Sequence, residues 1–231
     1  IIVNLKDDFK IKSKLLYDNL INNKYTYSNY QTSKFYGLSL LIKLILDKIF
    51  TILFFLLLFP IFILAIILIL IEDGFPIFTS EECAGWDGRR FDVHKLRILK
   101  NNKIDKNITI KEEDKKSLKV GRIIRRLHID EIPQFYNILK GDMSIVGPRP
   151  HMVKDDLIYA KVFKLFLKRN KTFPGLTGWA QVNGFRGKRP SNENMKKRME
   201  HDLWYMNNWS IFLDLYIILK TFYKMFSKPS K

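Results

Sequence analysis

One uninterrupted apolar segment dominates the pattern of hydrophobic and polar positions along the chain. Residues 49–71 contain no charged side chain. As an α-helix rising about 1.5 Å per residue, this segment would reach about 35 Å, which is enough to cross a hydrocarbon core of about 30 Å. A buried core helix of a soluble protein would seldom run this long without a polar residue. The pattern therefore predicts a helix embedded in a membrane.

Pro60, in the middle of this segment, leaves two interpretations open. Proline has no N–H and its ring clashes with the preceding turn, so it kinks or breaks a helix. The result is either a kinked membrane-spanning helix or a helix-break-helix hairpin that enters and leaves by the same face. Charge asymmetry selects no orientation, because basic residues flank the segment on both sides: Lys34, Lys43 and Lys48 before it, and Arg89 and Arg90 after it.

The remaining residues show shorter periodicities and predict an α+β fold that is mainly α. Residues 1–40 are polar and are predicted to be an N-terminal extension or the remnant of an upstream region, residues 41–72 the membrane segment, and residues 73–231 a second, soluble domain. We expect strands at 1–5, 91–99 and 143–146, helices at 12–21, 121–126, 132–140, 152–169, 191–207 and 210–226, a charged loop or helix at 101–119, and a glycine-rich loop at 174–187.

Composition separates this very apolar segment from a very basic remainder. The 231 residues include 40 Lys and Arg against 23 Asp and Glu, a formal net charge of +17. Such an excess excludes an acidic solvating protein and favours phosphate, nucleic acid or an anionic membrane surface as a partner. The hydrophobic content of 47% excludes a disordered chain, and a single cysteine, Cys83, excludes an internal disulfide and a multi-cysteine metal site.

An adjacent pair of carboxylates, Asp130 and Glu131, is the strongest candidate for chemistry. Such pairs usually lie on solvated faces, and Asp130 alone would also suit an N-cap. Here the pair opens the helix predicted at 132–140, and helix N-termini favour anions. Carboxylates beside arginines suit phosphate chemistry with a divalent metal, and a carboxylate can also act as a nucleophile. The nearby arginines are Arg122, Arg125, Arg126 and, in the rigid turn 147–150, Arg149.

A long central run resembles the signature of the bacterial sugar transferase family, the monotopic phosphoglycosyl transferases: residues 125–150 read RRLHIDEIPQFYNILKGDMSIVGPRP. Three further stretches resemble family patterns in the same order, namely the basic strand 91–99, the glycine loop 174–184 and the C-terminal pattern 202–214. The resemblance covers about residues 41–226. It implies a re-entrant membrane helix broken by Pro60, followed by a small cytosolic catalytic domain with short strands and amphipathic interfacial helices.

The resemblance also implies an activity. A sugar-1-phosphate would pass from a UDP-sugar to a polyprenol phosphate, typically undecaprenyl phosphate, as the initiating step of polysaccharide or glycan assembly. The carboxylate of Asp130 would attack the UDP-sugar, release UMP and carry the phosphosugar until the lipid phosphate takes it. Mg²⁺ is the implied cofactor, with Glu131 as its ligand. The implied substrate- and phosphate-binding residues are Arg125, Arg149, Lys95, Arg97, Pro148, Gln134 and Gln181.

The implied location is the inner membrane of a bacterium, with membrane lipid as a partner and the catalytic domain on the cytoplasmic face. We expect no nucleic-acid partner. The sequence leaves open whether the chain forms a homo-oligomer. Departures from the family pattern occur at Phe59, Glu81, Cys83, Lys116 and Phe173. They leave two alternatives: a catalytically inactive relative that acts as a membrane scaffold, and a basic membrane-tethered binding protein, for which no recognition motif is present.

Overall fold

A computed structural model describes residues 37–100, 117–163, 165–187 and 191–226, and over these residues the chain is mainly helical with short strands. The helices are α1 (Gly37–Asp73), α2 (Lys119–Arg126), α3 (Gln134–Lys140), α4 (Val153–Val162), α5 (Trp179–Val182), α6 (Asn192–Asn208) and α7 (Ile211–Phe226). The strands are β1 (Phe78–Ala84), β2 (Arg90–Leu96), β3 (Ser144–Val146) and β4 (Gly175–Thr177). Short 3-10 helices occupy Trp86–Gly88, Ile129–Glu131 and Phe166–Lys171.

Two small sheets hold the loops that form the site. Strands β1 and β2 make an antiparallel hairpin, and β3 pairs in parallel with β4. The turn after β3 passes so close to β4 that only glycine fits. A Cβ on Gly147 would lie 2.3 Å from the Phe173 carbonyl oxygen, and one on Gly175 would lie 2.1 Å from the Gly147 nitrogen. This contact fixes the start of the turn that carries Arg149.

Several elements differ from the sequence expectations. The strand at 143–146 and the helices at 121–126, 191–207 and 210–226 are confirmed within two residues, and the strand at 91–99 is found at Arg90–Leu96. The helix predicted at 152–169 ends at Val162 and is followed by a 3-10 helix. The expected loop at 174–187 contains β4 and α5, and β1 was not predicted. The elements expected at 1–5 and 12–21, and most of 101–119, lie outside the described residues.

Helix α1 is the one helix among the described residues that is long and apolar enough to cross a membrane. It continues through Pro60, so the interruption expected there is not seen, and re-entry on one membrane face stays a prediction. One side packs on the rest of the described chain, where the ring centroids of Phe55 and Phe135 lie 6.4 Å apart. The other side exposes large apolar side chains, including Leu56 and Leu57. An exposed apolar stripe of this size is suited to lipid.

The N-terminal half of α1 is attached by buried charges. The Lys43 ammonium lies 2.6 Å from the Asp214 carboxylate and 3.6 Å from Asp47, and all three residues are buried. The Asp214 carboxylate also accepts hydrogen bonds from the Tyr205 hydroxyl, at 2.6 Å, and the Trp209 indole N–H, at 3.0 Å. Because a buried charge is tolerated only when it is paired and hydrogen-bonded, these contacts fix α1 to α6 and α7.

The C-terminal end of α1 is attached at a second point. The Glu72 carboxylate accepts the first two backbone N–H groups of α2, from Lys119 at 2.6 Å and Val120 at 2.9 Å. Asp73 forms an ion pair with the buried Arg97 of the segment after β2. Both ends of the apolar helix therefore contact the same compact unit.

Replacing Lys43 by methionine should destabilise the protein by about 3–5 kcal/mol, because Asp214 and Asp47 would stay buried without their cation. Thermal or chemical unfolding in detergent measures this loss. Lys48→Met is the matched control, since Lys48 is exposed on the same helix and should change the unfolding free energy by less than about 0.5 kcal/mol. Equal effects of the two substitutions would show that the buried pair does not anchor α1.

Candidate active site

A cavity of about 220 Å³ lies where the hairpin, α2, the turn after β3 and the segment before α6 meet. Its charged lining combines five cations with three carboxylates, so it is suited to an anion with about two negative charges. The cations are Lys95, Arg97, Arg125, Arg149 and Arg186, and the carboxylates are Glu81, Asp130 and Glu131.

The two candidate carboxylates lie in a short 3-10 turn rather than at the start of a helix. Helix α2 ends at Arg126, and His128 takes the left-handed conformation with φ 58°. The N–H of Glu131 then donates to the His128 carbonyl at 3.2 Å. Helix α3 begins three residues later, at Gln134, so the helix expected at 132–140 is confirmed within two residues. The turn points both carboxylates of the pair at the cavity, where each lines the wall.

Glu131 is held between two arginines. Its side chain is almost fully buried, and its two oxygens accept from Arg149 at 2.7 Å and from Arg186 at 3.1 Å. Burial alone would raise the pKa of this carboxyl, but the two guanidiniums outweigh it and hold the pKa at about 2. Glu131 is therefore ionised at any physiological pH.

Asp130 has the opposite character. Its Oδ1 atom is buried and accepts no hydrogen bond from any described residue. Burial, together with the neighbouring charge of Glu131, raises the pKa of the Asp130 carboxyl to about 6, while Lys95 and Arg149 oppose the rise. A backbone N–H hydrogen bond also opposes the rise in pKa. A carboxylate that is partly desolvated is more nucleophilic than a solvated one. Adjacent carboxylates thus have two different environments.

Three of the basic residues expected at the site line the cavity with Asp130 and Glu131: Arg125, Arg149 and Lys95. The Lys95 ammonium pairs with Glu81 across the hairpin. Arg97 also reaches the cavity wall, but all of its N–H groups are committed to Asp73 and to carbonyl oxygens around it. Binding of phosphate by Arg97 would require it to release one of these contacts, so that role stays a prediction.

Pro148, Gln134 and Gln181 are buried but do not line this cavity. The Pro148 carbonyl accepts the Gly175 N–H at 2.9 Å and so joins the turn to β4. Gln134 opens α3, and the Gln181 amide donates to the Leu176 carbonyl at 3.3 Å. In this structure the three residues support the frame around the site, and direct contact with substrate stays a prediction.

Sequence reasoning missed Arg186 and assigned no role at the site to His128 or Glu81. Arg186 lies within the glycine-rich loop predicted at 174–187, and an arginine in such a loop was the available signal. Its guanidinium also contacts both ring nitrogens of His128, at 2.9 and 3.1 Å. Burial and the charge of Arg186 lower the pKa of His128, so the ring is neutral at physiological pH. Glu81 was noted only as a departure, yet it lines the cavity.

The other departures lie away from the cavity. Cys83 is buried in the main apolar cluster, where burial raises the pKa of its thiol to about 12. Phe173 is buried against Trp86, with ring centroids 4.6 Å apart. Phe59 is exposed on α1, and Lys116 lies outside the described residues. None of the three described residues lines the cavity.

The donor set fits a magnesium ion that takes most of its ligands from substrate. The described residues contain no group of three or more His, Cys, Asp or Glu side chains placed to hold a metal on their own. Mg²⁺ is usually bound by one or two carboxylates together with phosphates and water. Each oxygen of the ionised Glu131 accepts from one described arginine and keeps a further lone pair, so Glu131 can provide the one carboxylate of that set.

Arg186→Gln should weaken the binding of inorganic pyrophosphate by about tenfold or more, because one charge-assisted hydrogen bond contributes about 1.5–3 kcal/mol. Titration calorimetry at fixed salt measures the affinity. Lys196→Gln removes the same charge from an exposed position on α6 and should leave the affinity within about twofold. If both variants bind equally well, the cavity is not the anion site.

Comparison with known proteins places the chain in a family. The model of the family described as "Bacterial sugar transferase" matches residues 38–228. UDP-glucose:undecaprenyl-phosphate glucose-1-phosphate transferase of Escherichia coli (strain K12) is 38% identical over 191 residues, 82% of this chain and 41% of that protein. The uncharacterized sugar transferase EpsL of Bacillus subtilis (strain 168) is 36% identical over 165 residues, 71% of this chain and 77% of that protein.

A third relative acts on another sugar. UDP-N-acetylgalactosamine-undecaprenyl-phosphate N-acetylgalactosaminephosphotransferase of Aeromonas hydrophila is 33% identical over 163 residues, 70% of this chain and 38% of that protein. The chain spans about two fifths of the length of several curated relatives that it matches. The family match extends from the second residue of α1 to beyond the end of α7, and it includes every residue of the cavity. This chain is a member of the bacterial sugar transferase family.

Proposed function

We propose that this chain is a phosphoglycosyl transferase that moves a sugar-1-phosphate from a UDP-sugar to undecaprenyl phosphate, through a covalent phosphosugar on Asp130. One observation carries the proposal: a buried Asp130 oxygen without a hydrogen-bond partner among the described residues faces a cavity lined by cations. Relatives named as sugar-phosphate transferases to undecaprenyl phosphate supply the substrate class. Their names differ in the sugar, so the proposal extends to a UDP-sugar and no further.

The first step is a displacement at phosphorus. An oxygen of the ionised Asp130 attacks the phosphorus that bears the sugar, a new O–P bond forms, and the bond to UMP breaks with its electron pair leaving on UMP. In the second step an oxygen of undecaprenyl phosphate attacks the same phosphorus, and the Asp130 carboxylate leaves. With a pKa of about 6, Asp130 is mostly ionised at neutral pH yet is a moderate leaving group.

The surrounding charges stabilise the diphosphate. Arg149 donates one N–H to Glu131, and a guanidinium has five, so its fork can also reach phosphate oxygens. Arg125 and Lys95 lie on the same wall. Bound Mg²⁺, held by Glu131 and the substrate, would neutralise charge that develops on the leaving phosphate. The cavity is smaller than a typical pocket for a whole drug-sized ligand, so it suits the reacting diphosphate rather than the entire nucleotide sugar.

The attachments of α1 favour a re-entrant placement in the membrane. A helix that crossed a bilayer would separate its two ends by about 30 Å of hydrocarbon. Here both ends contact one compact unit through buried polar groups, at Lys43 and at Glu72. We therefore propose that the catalytic part lies on one face of the membrane, with the exposed apolar side of α1 in lipid. The cytoplasmic face of the inner membrane is the face that the family resemblance implies.

The inactive-relative alternative depended on family basic residues lost at Cys83, Lys116 and Phe173. Cys83 and Phe173 are buried away from the cavity, whereas five cations and the unpartnered Asp130 oxygen remain in it. This geometry favours an active enzyme over a scaffold.

UMP release tests the reaction directly. Membranes containing the chain, Mg²⁺, undecaprenyl phosphate and a panel of UDP-sugars should release UMP with one or a few sugars. Asp130→Asn should lower the rate by at least about 10³-fold, because the amide is a poor nucleophile and removes the covalent step. Asp92→Asn, the same change at an exposed position on β2, should retain the wild-type rate. Equal rates in both variants would exclude the nucleophile assignment.

Topology is tested by labelling introduced cysteines with a membrane-impermeant maleimide. Leu38→Cys and Ser80→Cys place thiols at exposed positions at either end of the membrane segment, and buried Cys83 should contribute little background. In intact cells neither position should react, and both should react after the membrane is opened. Reaction of one position from outside would show that α1 crosses the membrane.

A further inference from the structure

A second cluster of buried charges lies directly behind the Glu131 site, and the proposed reaction leaves it without a role. Arg169, Arg198, Asp156 and Asp202 are each at most 3% exposed. Burying two guanidiniums and two carboxylates costs several kcal/mol per ion unless close partners compensate. Replacing such a cluster by apolar side chains is often neutral or stabilising, so stability alone is a weak explanation for it.

Arg169 is attached to the main chain of the turn after β3. Its guanidinium donates to the Arg149 carbonyl at 2.6 Å and lies 2.9 Å from the Asp202 carboxylate on α6. The contacted carbonyl belongs to the residue whose side chain binds Glu131. Arg169 therefore fixes the backbone from which one half of the Glu131 clamp extends.

Arg198 fixes the backbone on either side of Arg186, the other arginine of the Glu131 clamp. From its position on α6 it donates to the Phe185 carbonyl and to the Gly187 carbonyl, each at 2.9 Å. These two carbonyls flank Arg186, the second arginine on Glu131. A planar guanidinium with donors in a fixed fork can hold both sides of one residue in this way, which the flexible ammonium of a lysine cannot.

His151 connects the two arginines. Its Nδ1 atom lies 2.8 Å from the Arg169 guanidinium, and its Nε2 atom lies 3.0 Å from the Arg198 guanidinium. Burial and both positive charges hold the pKa of His151 well below its usual value, so the ring is neutral and accepts from one arginine at a time. Phe166 stacks on the imidazole with centroids 5.7 Å apart, which fixes the plane of the ring.

We propose that Arg169 and Arg198, coupled through His151, are positioning residues that set the two main-chain segments from which Arg149 and Arg186 meet on Glu131. They touch neither the cavity nor the reacting atoms. Their effect passes through the clamp, which unites three segments that are far apart in sequence. The expected effect on kcat/KM for UMP release rests on the proposed function. The expected effect on the position of the loop that carries Arg186 does not.

Arg198→Lys tests the proposal because lysine keeps the charge but loses the fork. Hydrogen exchange measured by mass spectrometry should show amides of residues 184–187 exchanging at least about tenfold faster, since opening of the loop exposes them. Amides of α7 should keep their wild-type rates. The control is Lys197→Met, one position away and exposed, which should leave exchange in both segments unchanged.

A double-mutant cycle separates positioning from general loss of structure. In the wild-type background Arg198→Lys should lower kcat/KM for UMP release by about tenfold or more. In an Arg186→Lys background the same change should cost less than about twofold, because the side chain that it positions has already been shortened.

Unchanged exchange at 184–187, or faster exchange spread equally over α7, would overturn the proposal. An equal loss of kcat/KM on Arg198→Lys in the wild-type and Arg186→Lys backgrounds would also overturn it. If the wild-type protein releases no UMP with any sugar, the proposed function fails, and the exchange result alone then decides whether Arg198 holds the loop.

Discussion

The buried carboxylate of Glu131, bound on both oxygens by Arg149 and Arg186, is the contact on which the geometry of the site depends. A carboxylate this deeply buried is tolerated only while its cations stay in place, so three segments of the chain must converge. They are the 3-10 turn after α2, the turn after β3 and the loop before α6. Close glycine packing of Gly147 on β4 fixes the second of these, and the Arg198 fork fixes the third.

The membrane helix belongs to the same frame. The Asp47 carboxylate accepts the Ile145 N–H of β3 at 3.3 Å, two residues before the turn that leads to Arg149. At the other end of α1, Arg97 contacts Asp73 and also reaches the cavity wall. The helix thus contacts both sides of the site. On the proposed function, a lipid phosphate would approach a cavity whose position is fixed relative to α1.

Local patterns predicted the parts of the site that are close in sequence. Asp130, Glu131 and Arg149 fall within one continuous run, and Gly147 of that run imposes the turn that carries Arg149. Arg186 lies 55 positions from Glu131, and its approach depends on α6 packing behind the loop, which no local pattern contains. The family resemblance implied that Arg97 binds phosphate. Its N–H groups contact Asp73 and nearby carbonyl oxygens, and binding of phosphate by Arg97 stays a prediction. Pro60 cannot donate a hydrogen bond within α1, yet the helix continues through it, and Phe55 and Phe62 on either side pack against the main apolar cluster.

A covalent phosphosugar on Asp130 would change the mass of the intact protein, which mass spectrometry measures. The chain would be mixed with Mg²⁺ and the UDP-sugar that supports UMP release, without any lipid acceptor, and quenched in acid. We expect a mass increase of one sugar phosphate, located on Asp130 by peptide mapping and lost when undecaprenyl phosphate is added. An unmodified protein that releases UMP only when the acceptor is present would contradict it, as would an adduct on any other residue.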